Sequence, residues 1–249
     1  MRVSLPSIAH TAHCDVPESE LVLEICMHLG TLLANKGLCQ TLGEEDDERT
    51  HDDDDDIDDH DEVLIDTVVE AVTSIAKLYG GEFGPSLAEL MPPLISYCRP
   101  SRPNLDRSMG IGAVAELIQA VSEGFVATPA LLAQSGMVVE ASISCIGSDN
   151  EAVRRNAAFC VGCLCLHAGD STNPHLMPIL QALRPLFARA EGVEDSTVDN
   201  ACGAVARIIV RIGAADCAAA LPLGDILPVM LLALPLKEDF AESIVVRLP

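Results

Sequence analysis

A helical segment that occurs twice, 44 residues apart, narrows the possible folds more than any other part of this chain. The first copy reads NAAFCVG at 156–162 and the second reads NACGAVA at 200–206. Each copy follows an acidic, loop-like start and an apolar helix, so the repeating unit is a pair of helices. A third, weaker copy combines LAELMPPLISYC with DRSMGIGAVAELIQAV. A period of about 40–47 residues built from two helices is typical of HEAT and armadillo repeats.

The rest of the chain supports an all-α fold, an α-solenoid of HEAT-type helix-pair repeats, because apolar residues recur at helical spacing and no strand pattern alternates. We predict a loose lead-in at 1–16, the first helix of the array at 17–43, an acidic flexible loop at 44–62 and a solenoid of about four further pairs at 63–249. Predicted helices cover about 17–36, 106–122, 129–146 and 174–190. Pro92 and Pro93 predict a kink or an early end in the helix that begins at Pro85. One helix of each pair is expected to line a concave surface.

The predicted loop is extremely acidic, since fourteen of its nineteen residues are Asp or Glu. These acids are Glu44, Glu45, Asp46, Asp47, Glu48, Asp52, Asp53, Asp54, Asp55, Asp56, Asp58, Asp59, Asp61 and Glu62. Such a run repels itself and cannot bury apolar surface, which predicts a solvated segment. Two interpretations remain open: a surface that attracts basic proteins, or a spacer that only improves solubility.

Charge and composition exclude several classes of partner. The formal net charge of −23 disfavours direct binding to nucleic acid and to anionic membranes. The longest apolar run, 226–236, is too short to span a bilayer and contains two prolines. The N-terminus has no apolar signal region. Cysteines such as Cys26, Cys145 and Cys202 lie among apolar neighbours like small core residues, which is typical of a reducing compartment, the cytosol or the nucleus.

We find no assembled catalytic constellation, and we expect no enzyme, no cofactor and no metal. Gly110 and Gly112 match a loose dinucleotide fingerprint, but without a preceding strand they favour close helix packing. Cys160, Cys163 and His167 share a helix side and could ligate zinc, but no second pair of ligands accompanies them. Core packing is the favoured interpretation of these three residues.

Three polar residues are predicted to connect the repeats. Asn156 and Asn200 occupy equivalent positions in the two copies, where an amide could bond to an adjacent repeat. Arg154 could pair with a loop acid such as Asp149. The alternative is that these residues are simply polar surface positions.

Three segments follow the acidic run: EAVRRNAAFCVG, STVDNACGAVARI and LLALPLKEDFAES. Together with that run they resemble the C-terminal half of the importin-β (karyopherin-β) nuclear import receptors. The resemblance covers about residues 44–243. It implies HEAT repeats and carriage of basic cargo such as histones and ribosomal proteins between cytoplasm and nucleus. It also implies cargo release by Ran-GTP through amino-terminal repeats that this chain lacks. Nucleoporins at the nuclear envelope are further candidate partners.

The resemblance assigns cargo binding to the fourteen acids of the run. Asp195, Asp199, Glu238 and Asp239 are weaker candidates, because acids at helix starts also serve as caps or favour the helix dipole. Since the chain ends inside an expected helix, we expect a fragment or a truncated gene model. The alternative function is a HEAT-repeat scaffold subunit of a cytosolic complex, such as a phosphatase regulatory subunit.

Overall fold

A computed structural model describes residues 19–37, 40, 52–122, 128–188, 193–213 and 221–243. These residues form an all-α stack without a strand in any of those ranges, as the sequence predicts. The helices are α1 (Ser19–Leu33), α2 (Asp52–Tyr79), α3 (Gly84–Tyr97), α4 (Asn104–Val121), α5 (Pro129–Ile146), α6 (Glu151–His167), α7 (Leu176–Leu183), α8 (Asp195–Ile212) and α9 (Leu223–Ala233). Short 3-10 turns cover Gly80–Phe83, Gly169–His175, Arg184–Ala188 and Phe240–Glu242.

The helices stack in two layers, which is the arrangement expected of a helix-pair solenoid. In one layer α1 packs on α3, α3 on α5 and α5 on α7. In the other layer α2 packs on α4, α4 on α6 and α6 on α8. Equivalent helices of successive pairs are therefore neighbours in space, so residues about one repeat apart in the chain meet across the stack.

Glycines allow close helix packing both between the two layers, where α4 meets α3, and within the second layer, where α6 meets α8. A Cβ built on Gly110 would lie 2.8 Å from the Cβ of Tyr97, and one on Gly162 would lie 2.7 Å from the Cα of Ala204. Real Cβ atoms do not approach so closely, so an alanine at either position would push two helices apart. Gly110 therefore serves helix packing, as the sequence favours over a dinucleotide site.

Several helix ends follow from local sequence. Asn150 caps α6 by accepting a hydrogen bond from the Val153 amide at 3.1 Å. Thr128 caps α5 through the Leu131 amide at 3.3 Å, and α5 covers the predicted range 129–146. By length and composition alone α5 could cross a membrane, but it packs against α3 and α6 and buries much of its surface within the stack.

Three predicted boundaries are wrong. Of the kink or early end predicted at Pro92 and Pro93, the early end does not occur, because α3 continues to Tyr97. The predicted helix at 174–190 is interrupted: α7 covers eight residues between two 3-10 turns, and Pro174 lies in the first of them. Residues 52–62 are helical, because α2 begins at Asp52 rather than near 63. Acidic side chains in the first turn of a helix interact favourably with its dipole, which offsets part of the repulsion among the aspartates that begin α2.

Candidate functional site

The structure describes only the second part of the acidic run, residues 52–62. Residues 44–51, including the five acids at 44–48, lie outside the described residues. The acids at 52–56, 58, 59, 61 and 62 lie in the first three turns of α2, and among them the structure describes only the side chain of Asp61, which is half-buried. The acidic run is therefore attached directly to the layer formed by α2, α4, α6 and α8.

At the other end of that layer, α8 holds the segment 237–242 through one buried carboxylate. Oδ2 of Asp199 accepts hydrogen bonds from the backbone amides of Lys237, Glu238 and Asp239 at 2.9, 2.7 and 2.9 Å. Asp199 is only 1% exposed. Because one oxygen of this buried carboxylate accepts three backbone hydrogen bonds, Asp199 is a structural residue of this connection.

The same segment is held further along α8 by a buried ion pair. The Arg207 guanidinium donates two hydrogen bonds to the Glu242 carboxylate, at 2.5 and 2.9 Å. Its Cζ also lies 5.0 Å from the centre of the Phe159 ring, at cation–π distance. Burial raises the pKa of Glu242 above its ordinary value although Arg207 opposes that rise. A Cβ on Gly203 would collide with the Glu242 carboxylate, so glycine is needed at that contact.

The other weak cargo candidates also have partners within the chain. Nζ of Lys237 lies 2.9 and 3.0 Å from the two carboxylate oxygens of Asp195. The Ser196 amide donates to Glu238 at 3.1 Å. Together with Asp199, these contacts fasten the segment 237–242 to α8.

The two asparagines reach neighbouring elements in opposite directions along the chain. Asn156 on α6 donates to the carbonyl and hydroxyl oxygens of Ser108 on α4, at 3.0 and 3.1 Å. Asn200 on α8 donates to Asp239 at 2.9 Å and to the carbonyl of Ser196 in its own helix at 2.9 Å. The first amide therefore contacts the preceding repeat, and the second contacts the segment that follows α8.

Arg154 contacts an acid of its own helix. Its guanidinium pairs with the Glu151 carboxylate and donates to the Ser148 carbonyl at 2.9 Å. Glu151 also accepts the Glu194 amide at 3.0 Å, which ties α6 to the start of α8. Burial would raise the pKa of Glu151, but the hydrogen bonds that it accepts hold its pKa below the ordinary value of 4.5.

The cysteines of α6 belong to the core. Cys160, Cys163 and Cys165 are fully buried, and burial raises the pKa of Cys163 to about 12. Burial, with a smaller effect of Arg207, lowers the pKa of His167 to about 4. Within the described ranges no three His, Cys, Asp or Glu side chains are grouped to hold a metal ion.

A groove beside the acidic start of α2 is the feature that the sequence pattern does not reveal. Its cavity has a volume of about 450 Å³ and lies between the end of α1, α2, and the α3–α4 connection. It is lined by Asn35, Asp61, Ile65, Asp66, Tyr97, Arg102, Pro103, Leu105, Asp106 and Met109. The stacking of α2 on α4 places Asp61 and Asp66 in the middle of α2 beside Asp106 at the start of α4, and the sequence carries no local signal for this pairing.

One cation of the chain already lies in this groove. The Arg102 guanidinium is 3.6 Å from the Asp106 carboxylate, and its Cζ is 5.0 Å from the centre of the Tyr97 ring. The Tyr97 hydroxyl donates a weak hydrogen bond to Asn35 Oδ1 at 3.5 Å. With three carboxylates and one guanidinium, the groove carries a net negative charge and a mostly apolar floor.

Comparison with known proteins gives relatives of one kind. The chain is 32% identical to human importin-4 over 227 residues, which are 90% of this chain and 19% of the human protein. It is 34% identical to mouse importin-4 over 229 residues, 88% of this chain and 19% of the mouse protein. The probable importin subunit beta-4 of Schizosaccharomyces pombe is 28% identical over 185 residues, 74% of this chain and 16% of that protein. No family model matches the chain.

The helix-pair stack and these relatives together define the class: the chain belongs to the importin-β family of helical-repeat proteins. Within that family it is importin-4-like. It spans less than a fifth of the length of the curated relatives that it matches.

Proposed function

We propose that this chain is part of a nuclear import receptor and that it binds basic cargo proteins, such as histones and ribosomal proteins, by electrostatic attraction. The observation that carries the proposal is the similarity to importin-4 over nine tenths of the chain. The same similarity favours a receptor over a scaffold subunit of a cytosolic complex. Binding rather than catalysis is the proposed activity.

The charge distribution supports a role for the acidic run in that binding. The acids at 195, 199, 238 and 239 form contacts that hold the segment 237–242 on α8, as described above. The run at 52–62 extends the layer of α2, α4, α6 and α8 at its other end and supplies a dense negative field. Such a field accelerates the encounter with a basic partner and competes with that partner's contacts to nucleic acid.

As for an importin, we propose shuttling between cytoplasm and nucleus, with nucleoporins and Ran-GTP as further partners of the longer receptor. The Ran-GTP contact is proposed for amino-terminal repeats of such a receptor and not for these 249 residues. These partners are proposed from the relatives alone, and the experiment below addresses the cargo.

The test must keep α2 intact, because deletion of 44–62 would remove its first three turns. We therefore replace the five aspartates at 52–56 with Asn and measure binding of a core histone and of a basic ribosomal protein over a salt series. The matched control replaces five exposed acids outside the layer of α2, α4, α6 and α8 with Gln: Glu20, Glu24, Glu82, Glu89 and Glu140.

The proposal predicts that both basic proteins bind the unaltered chain and that affinity falls as salt screens the acids. The Asn variant should bind several times more weakly with a shallower salt dependence, and the control should change much less. Absence of binding to both proteins at low salt would refute the function. An equal loss of affinity in the two variants would show that the acidic run contributes only through the overall negative charge of the chain.

A further inference from the structure

We propose that the groove between α2 and the α3–α4 connection receives a Lys or Arg side chain from an extended basic segment of a partner protein. This inference rests on the proposed function and names the place where one cation of the cargo is held. The groove's volume of about 450 Å³ falls in the range of ligand sites in proteins, about 300–1,000 Å³.

Charge complementarity identifies the occupant. Asp61, Asp66 and Asp106 line the groove, and Arg102 is its one cationic side chain among the lining residues. Arg102 is paired with Asp106, and the lining as a whole carries three carboxylates against one guanidinium. The acidic run begins on the same helix just before the groove, so it would draw a basic segment towards this opening.

The apolar lining suits a long basic side chain rather than a small cation. Ile65 and Tyr97 are buried beneath the groove, at 6% and 3% exposure, and Leu105 stands at its edge with 61% of its surface exposed. Lys and Arg bury their methylene stems on apolar surface while their charged ends remain near water or carboxylates. The position of Arg102 over the Tyr97 ring shows that a guanidinium fits this environment.

A fluorescent reporter can be placed at the groove because the chain contains no Trp. Leu105→Trp puts a single indole at the edge, and binding is followed by its emission while a Lys–Gly repeat peptide or an Arg–Gly repeat peptide is added. We expect saturable changes with either peptide and none with a Glu–Gly repeat peptide. In this background Asp66→Asn combined with Asp106→Asn should weaken binding about two- to thirtyfold, the effect of two lost surface ion pairs.

A variant with the opposite expected effect excludes a general loss of structure. Arg102→Gln removes the cation that shares the groove, so it should strengthen peptide binding several-fold. The matched control Arg99→Gln removes an exposed cation that does not line the groove and should change affinity much less. Circular dichroism confirms that each variant remains helical.

The outcomes separate this site from the proposed function. If the groove variants and the Arg99 control behave alike while Asn substitutions at 52–56 abolish binding, the function stands and the groove proposal is overturned. If histone and both peptides fail to bind the unaltered chain, both proposals are overturned. A change in affinity of opposite sign for Arg102→Gln and for the aspartate variant supports the groove.

Discussion

Replacing Arg207 with Met is expected to destabilise the attachment of the segment 237–242 to α8 by about 3–5 kcal/mol. The reason is that Glu242 is 2% exposed and would keep a buried carboxylate without its guanidinium partner. Loss of the stacking on Phe159 adds about 0.5–2 kcal/mol to that effect. Methionine preserves most of the apolar volume of the arginine stem, so the loss reports mainly the charge.

Urea unfolding followed by circular dichroism measures the global part of this effect. Hydrogen exchange of the Lys237, Glu238 and Asp239 amides measures the local part, because all three amides bond to Asp199. If the segment detaches before the stack unfolds, these amides should exchange faster while the midpoint in urea shifts little. The two measurements together therefore capture the loss in either case.

The loss of stability in Arg207→Met should depend on pH. Burial already raises the pKa of Glu242, and without Arg207 it should rise further. The folded form then takes up a proton before the unfolded form does, so the deficit of Arg207→Met should be greatest at neutral pH and should shrink as pH falls towards the ordinary value of 4.5.

A double variant tests the physical cause. Arg207→Met combined with Glu242→Met replaces the pair by apolar side chains, and such replacements are often neutral or stabilising. We expect the double variant to be more stable than Arg207→Met alone. A loss below about 1 kcal/mol in the single variant, with unchanged amide exchange, would refute the argument that this ion pair holds the segment.

Three further predictions follow from contacts in α5 and α6. Gly162→Ala should lower the free energy of unfolding by about 1–3 kcal/mol, because the new methyl group would lie 2.7 Å from the Ala204 Cα. Gly136→Ala in α5 is the control, since the space around this glycine is open. In the same urea experiment it should be neutral or stabilise the protein by up to about 1 kcal/mol. Asn150→Ala should lose about 1 kcal/mol by removing the cap of α6, and Asn150→Ser should restore most of it. The lowered pKa of Glu151 stabilises the fold above pH 4.5 and that contribution disappears as pH falls through the folded-state pKa, so Glu151→Gln should differ most from the unaltered chain at neutral pH and converge with it in acid.

The repeat period predicts the layers of the fold, because apolar spacing and a two-helix unit leave few other ways to bury these faces. It fails at two places where the local preference of the sequence differs from the observed structure. The prolines 92 and 93 favour a helix end, but packing of α3 on α1 and α5 maintains the helix to Tyr97. Self-repulsion of the aspartates favours a loop, yet the structure continues α2 back to Asp52. Neither outcome follows from local preference alone.

The candidate site was less accessible to sequence reasoning because charge alone does not say which acids are engaged. Asp199 looks like a helix-start acid, but three backbone amides of a segment 38–40 residues away claim its carboxylate. Asp106 is separated in sequence from the acidic run, yet stacking of α4 on α2 places it in the same groove as Asp61. Only the fold distinguishes an acid that fastens the chain from an acid that faces a groove.

The start of α2 should respond to the same cations that the proposed function requires. Consecutive aspartates at 52–56 form like-charge neighbours at helical spacing, which destabilise a helix by a few tenths of a kcal/mol for each pair. A basic partner, or salt, relieves that repulsion, so either should increase the helical signal in circular dichroism, and the Asn variant at 52–56 should respond less. Binding of the peptide and formation of the helix then favour each other. At moderate salt the affinity for a basic peptide should therefore be higher than expected if salt only screened the attraction between the charges. A helical signal that stays constant while the peptide binds would separate the two processes and show that the run attracts its partner without being ordered by it.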